Sequence, residues 1–254
     1  MDTSHGACAF PTAVPVALPW ARPPSKLSAP PNLGGMIEID GKQVFTELQE
    51  LVDPAHTALV VVDVQRDFCG PGGAFDRLGI DMSMYPALLE RLDRLLGGAR
   101  SARVPVIYVQ MTTLPDRRIE SPAQIRFNMR LHARATDGPL EYARDGSPGQ
   151  EIVPEIAPRD GDLIVKKYRS SGFWGTNLDM LLRSNGIRSL VVTGCTTEGC
   201  VESTARDALF NDYYVVIPED AVASDDRTQH EASLLLMRHR FDVTTTEAIL
   251  GTWA

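Results

Sequence analysis

Asp63, Lys167 and Cys200 lie far apart in the chain, and together they are the side-chain types that can activate a thiol. Cys200 falls in the stretch VVTGCTTEGCVESTARDA, residues 191–208. There an apolar run ends at Gly194, a Thr/Gly-rich turn follows, and a helical pattern begins around Cys200. A strand, a tight turn and a helix start thus converge on one sulfur. Backbone N–H groups and the positive end of a helix dipole favour thiolate over thiol at such a place. A thiolate so placed can attack a carbonyl carbon. The N–H groups of Thr196 and Cys200 are candidates to receive the oxyanion that forms. The plainer reading of a lone cysteine is a small buried hydrophobe.

Asp63 interrupts the apolar run Ala58–Val64, where an unpaired carboxylate costs free energy. It can serve as the base that takes the thiol proton, since desolvation raises its basicity. It can equally cap a loop or hold an arginine. Lys167 ends another apolar run and would supply the cation beside the thiolate. Lys166 competes for that role, and strand neighbours face opposite sides, so only one of the two can reach Cys200. A solvated surface lysine is the ordinary alternative for either.

The elements that would carry these groups alternate between strand and helix patterns. Strands are expected at Ala58–Val64, Val104–Val109, Asp162–Lys167, Ser189–Thr193 and Tyr214–Ile217, with a sixth at Phe241–Thr245. Helices are expected at 44–52, Tyr85–Ala102 and Asn177–Asn185, from about Cys200, and through Ala232–Arg240. Gly186 is placed to close the third of these. Residues 112–160 are rich in Arg and Pro and read as an elaborated loop region with one short helix. The alternation indicates an α/β fold, a three-layer α/β/α sandwich around a mostly parallel, doubly wound sheet. In such sheets sites form beyond the carboxyl ends of the strands, where Asp63, Lys167 and Cys200 all fall.

The 254 residues, 43% hydrophobic and 23% charged, suit one large globular domain at 36–254. Residues 1–35 hold many of the 18 prolines and read as an extended tail. A net charge of −8 without a basic cluster argues against nucleic-acid binding. No apolar run approaches the roughly 20 residues that span a bilayer, so no membrane partner is expected. The first residues lack a basic segment, and the four cysteines (Cys8, Cys69, Cys195, Cys200) show neither C-x-x-C spacing nor paired His ligands. A cytoplasmic protein with no disulfide framework, no metal and no cofactor is expected. The stretch Gly70-Pro-Gly-Gly73 is interrupted by proline and is expected to open no helix, which speaks against a dinucleotide site.

The motifs together resemble the isochorismatase-like cysteine hydrolases. They are D-x-Q-x-x-F at Asp63–Phe68, Lys167 six residues before Phe173, Gly175-Thr176-x-Leu178, Gly194-x-x-Thr197-x-x-Cys200-Val201, and Thr204-Ala-x-Asp207-Ala208. The resemblance runs from about Asp53 to Val243. It implies an Asp-Lys-Cys triad with Asp63 as general base and acid, Lys167 rather than Lys166 as the cation, and Cys200 as nucleophile. It also implies a cis peptide at Cys195–Thr196 and a homo-oligomer.

Nicotinamidases of this family resemble metal enzymes with histidines after the second strand. Here that stretch reads Val109-Gln-Met-Thr-Thr-Leu114, and the next histidine is His132. True isochorismatases do not need the cysteine. The turn Gly194–Val201 is most similar to the branch that hydrolyses N-carbamoyl compounds, including N-carbamoylsarcosine, ureidoacrylate and biuret-type ureides. A small amide or ureide substrate, cleaved through a thioester with release of ammonia or an amine, is therefore expected. Arg227 falls near the arginine that holds a substrate carboxylate in that branch, and a solvated loop arginine is the alternative. Phe68, Phe173 and Trp174 flank the motifs as candidate pocket walls or as ordinary core. A binding module without turnover, or a nicotinamidase- or isochorismatase-type hydrolase, remain rival readings.

Overall fold

Thr57–Val62 (β3) is buried at every residue, as the sequence of a central parallel strand requires. Its side chains alternate between two apolar cores. Leu59 and Val61 join one cluster, while Ala58, Val60 and Val62 join the other. Helices therefore cover both faces, and the sheet is the middle of three layers.

The computed structural model describes residues 35–131 and 140–254; the proline-rich tail, Cys8 and His132 lie outside them. The chain enters through an antiparallel hairpin, Ile37–Ile39 (β1) and Lys42–Val44 (β2), followed by a single helical turn, Leu48–Leu51 (α1). The helix expected over 44–52 is shorter because Glu47 and Glu50 form a capping box, which starts it only after residue 47. After β3 come two further turns, Arg66–Cys69 (α2) and Ala74–Arg77 (α3). The glycine stretch at 70–73 thus does open a helix, contrary to expectation, with Gly73 at its N-cap. It is one turn long, too short to build a dipole-assisted phosphate site.

The remaining elements are Tyr85–Ser101 (α4), Val106–Met111 (β4), Pro122–Leu131 (α5), Leu163–Lys167 (β5), Leu178–Ser184 (α6), Ser189–Cys195 (β6), Glu202–Phe210 (α7), Tyr214–Pro218 (β7), Val222–Ala223 (β8), Arg227–Met237 (α8), Asp242–Thr244 (β9) and Thr246–Trp253 (α9). β4 begins two residues later than expected. Pro105 has no N–H to give, and only its carbonyl joins the ladder, accepting from Leu59 N–H at 2.9 Å. α8 begins earlier than expected because the Asp226 side chain accepts the Gln229 N–H and caps it.

Among the described residues seven strands form the sheet in the order β5-β4-β3-β6-β7-β9, with β8 beside β6, and every pairing in it is parallel. The register fixes the site. Val62 lies opposite Val109 and Gly194, and Met111 lies opposite Lys167. The ends of β3, β4, β5 and β6 are therefore neighbours on one edge. Gly194 has φ +108°, and a Cβ there would lie 2.1 Å from Val62 O. Only glycine lets β6 pass β3 so closely before the turn that carries Cys200. Among the described residues no helix is long and apolar enough to cross a membrane.

Candidate active site

The three residues separated in sequence meet at that edge. Lys167 Nζ lies 2.8 Å from Asp63 Oδ2 and donates to Cys200 Sγ at 3.2 Å. Its remaining contact is Arg169 O at 3.0 Å. Lys167 is 0% exposed and Asp63 2%. A charge pair so deeply buried persists only when the polar hydrogens and lone pairs around it are satisfied. Asp63 Oδ1 accepts the Met111 N–H at 2.8 Å, and the Asp63 side chain also hydrogen-bonds Cys200. Asp63 holds φ +53°, a left-handed conformation that Asp tolerates better than most residues. This bend lets its N–H reach Val109 O at 2.9 Å while its side chain turns along the edge towards Met111.

Lys166 points the other way and pairs with Asp145 at 2.6 Å on the surface. Strand alternation thus puts Lys167, and not Lys166, at the thiol.

Cys200 does not open an α-helix, contrary to expectation. It sits in a wide turn, Thr197–Val201, closed by the Val201 N–H donating five residues back to Thr196 O at 3.1 Å, and α7 begins only at Glu202. Thr197 Oγ1 anchors this turn on His230 Nδ1 at 2.8 Å, and Thr204 Oγ1 donates to Cys200 O at 2.7 Å. The thiol is accordingly not depressed. Burial, with the Asp63 charge beside it, pushes Cys200 up to about 12, against the smaller pull of Lys167. Burial pushes the Asp63 carboxyl up as well, and Lys167 offsets this only in part. Burial acts to lower Lys167, but Asp63 and Cys200 outweigh it and hold the ammonium above its usual range. The resting arrangement is a thiol beside a carboxylate–ammonium pair, and the carboxylate is the more basic for being dry.

The peptide bond Cys195–Thr196 is cis, as the family resemblance implies. Cys195 ends β6, and its Sγ lies 3.4 Å from Cys69 Sγ and 3.3 Å from Asp63 O. The described cysteines, Cys69, Cys195 and Cys200, are unpaired.

A cavity of about 620 Å³, its mouth included, opens over the triad and is lined by Asp63, Thr196 and Cys200. Phe68 is one of its apolar walls, with Phe75, which it meets edge-on with ring centroids 5.1 Å apart, and Tyr142, on which it leans at 5.3 Å. The other expected walls stand elsewhere. Phe173 is buried in the core, in one cluster with Leu178 and Leu182 of α6 and with its ring 5.8 Å from that of Tyr213. Trp174 is 63% exposed under the Arg169 guanidinium, in a surface groove next to the cavity. Arg227 is exposed at the start of α8 and is not among the described residues that line the cavity.

Several lining residues escaped the sequence reading. Gln124, Phe127 and Asn128 come from one face of α5, inside the region read as loop with one short helix, and their spacing at i, i+3 and i+4 was the available signal. Glu198, Asp225 and Ser170 also line the cavity. Among the described residues no group of three or more His, Cys, Asp or Glu is arranged to hold a metal ion.

The isochorismatase domain family matches residues 57–249, more than half of the chain. The protein belongs to the isochorismatase family. By class this isochorismatase-family chain is therefore a hydrolase. A ureidoacrylate amidohydrolase of Methylobacterium radiotolerans is 35% identical over 211 residues, covering 79% of this chain and 81% of that one. Among solved structures, a cysteine hydrolase from Pseudomonas syringae is similar with TM-score 0.68 and 28% identity, covering 80% of this chain and 94% of its own. An N-carbamoylsarcosine amidase from Thermoplasma acidophilum is similar with TM-score 0.59 and 30% identity, over 76% and 97%.

Proposed function

We propose that this isochorismatase-family protein is a cysteine-dependent amidohydrolase that cleaves a C–N bond of a small linear amide or ureide. The observation that carries the reading is the contact of Asp63, Lys167 and Cys200 beneath a small cavity. The named activities of the two amidohydrolase relatives support it.

In the proposed cycle the Asp63 carboxylate takes the Cys200 proton as the sulfur bonds to the substrate carbonyl carbon. Because the thiol rests protonated, deprotonation and attack belong to one event, and a desolvated Asp63 is the better base for it. The oxyanion is received by the N–H groups of Thr196 and Cys200. Asp63 then returns its proton to the leaving nitrogen, the C–N bond breaks, and ammonia or an amine departs. A water deprotonated by Asp63 attacks the thioester, the C–S bond breaks, and the proton passes back to sulfur. Lys167 stays charged throughout and compensates the carboxylate and the thiolate in turn. The unpaired thiols at Cys69 and Cys195, close enough to touch, fit a reducing compartment such as the cytoplasm.

Ammonia release over a panel of N-carbamoyl amino acids, biuret-like ureides and simple amides tests the reading. At least one should be turned over, and Cys200→Ala and Cys200→Ser should bring its rate to that of buffer. A substrate processed equally well without the thiol would sink the mechanism.

A further inference from the structure

The walls of the cavity say which end of a substrate they accept. Among the described residues that line it there is no Lys or Arg, whereas Asp63, Glu198 and Asp225 are acidic. The Asp63 charge is matched by Lys167 beneath it, so the uncompensated charge comes from Glu198 and Asp225. Glu198 takes hydrogen bonds from the Ser224 and Thr196 side chains, yet its Oε2 is buried with no hydrogen-bond partner among the described residues. Burial, with Asp225 nearby, holds its carboxyl above the ordinary range. A buried acceptor without a donor is a demand on whatever enters the space beside it. Arg227, the one arginine the motifs offered as a carboxylate receptor, is outside.

Resting on the amidohydrolase reading, we propose that Glu198, with Asp225 beside it, is the specificity-determining residue. It selects amides and ureides whose end remote from the scissile carbonyl carries N–H donors or positive charge, and it rejects those that end in a carboxylate. The reason is geometric and electrostatic. Among the described residues that line this cavity, a carboxylate meets two acidic side chains without an ion-pair partner and no cation, in a space where low dielectric magnifies like-charge repulsion. A carboxamide, a free ureido group or an ammonium instead donates to the carboxylate that lacks a donor. The ureidoacrylate and N-carbamoylsarcosine relatives act on compounds that carry a carboxylate, so this chain would divide from them at the distal end of the substrate while sharing the attack on the carbonyl.

The test uses Cys200→Ala protein, which binds without turnover, and two probes matched in length: N-carbamoylglycinamide, ending in a carboxamide, and N-carbamoylglycine, ending in a carboxylate. Calorimetric titration should show the carboxamide binding at least about tenfold more tightly, a difference typical of one well-placed charged contact. Adding Glu198→Gln should narrow the ratio to within about threefold, and Asp225→Asn should narrow it in the same sense, which guards against a folding defect in either. Equal or tighter binding of the acid, a ratio that neither substitution alters, or binding of neither probe would overturn the proposal. Ammonia release by the unsubstituted protein is scored separately. The expected binding ratio without any release would sink the hydrolase reading and leave the selectivity standing.

Discussion

Every hydrogen on the Lys167 ammonium has an acceptor: a carboxylate, a sulfur and a backbone carbonyl. The cation is therefore fixed in place and cannot follow a substrate. Removing either charge of the pair should cost about 3–5 kcal/mol of stability, because the partner is left buried alone. Lys167→Met and Asp63→Asn are both expected to lower the denaturation midpoint as well as the rate. Their effects on Cys200 differ in sign. Iodoacetamide reacts with thiolate and not thiol, so labelling of the Cys200 peptide, followed by mass spectrometry, should rise only towards pH about 12. Asp63→Asn removes a negative neighbour and should move that profile to lower pH. Lys167→Met removes a positive one and should move it higher. Profiles centred near 8.5, the range of a free cysteine, in all three proteins would refute the electrostatics described for the site. The meeting of Asp63, Lys167 and Cys200 was legible because each falls at or just past the end of an apolar run that reads as a parallel strand. The state of the sulfur was not, since it depends on burial that no local pattern encodes.

At the level of elements, the turn between β6 and α7 depends on one glycine. Gly194→Ala should disrupt the β3–β6 pairing, because the added carbon would meet Val62 O at 2.1 Å. Gly186 also has a positive φ, +68°, but nothing lies within 4 Å of the added carbon. Gly186→Ala should cost about 1 kcal/mol, and Gly194→Ala several times that, measured by denaturant unfolding. Equal losses would mean that the close approach does not constrain the fold. The parallel strands were readable because their apolar runs are continuous. Four-residue helices such as α2 and α3 are too short to show a 3.6-residue period and were not found. One short helix was expected within 112–160, but the Arg- and Pro-rich residues around α5 hid its bounds, and with them went one wall of the cavity. α9 went unread although Thr245 caps it, because its eight residues are mostly apolar and include Gly251, which blurs the periodicity.

Across the whole molecule, the residues of the site are held unequally. Asp63 follows the central strand, with paired neighbours on both sides, and Cys200 hangs from β6, which is also paired on both sides. Lys167 ends β5, an edge strand, bonded to β4 alone among the described residues, with Leu163 and Ile164 of that strand open to solvent. Margins of a sheet fray at lower free-energy cost than its middle. Catalysis should consequently fail before the fold does. In a urea series, turnover should fall at concentrations where far-ultraviolet ellipticity is still native, and hydrogen exchange should place the first loss of protection at residues 163–167. Coincident midpoints for turnover and ellipticity would show instead that the outer strand is as firmly held as the centre. If the two separate, the protein's working range is set by the weakest seam of its architecture and not by the depth of its core.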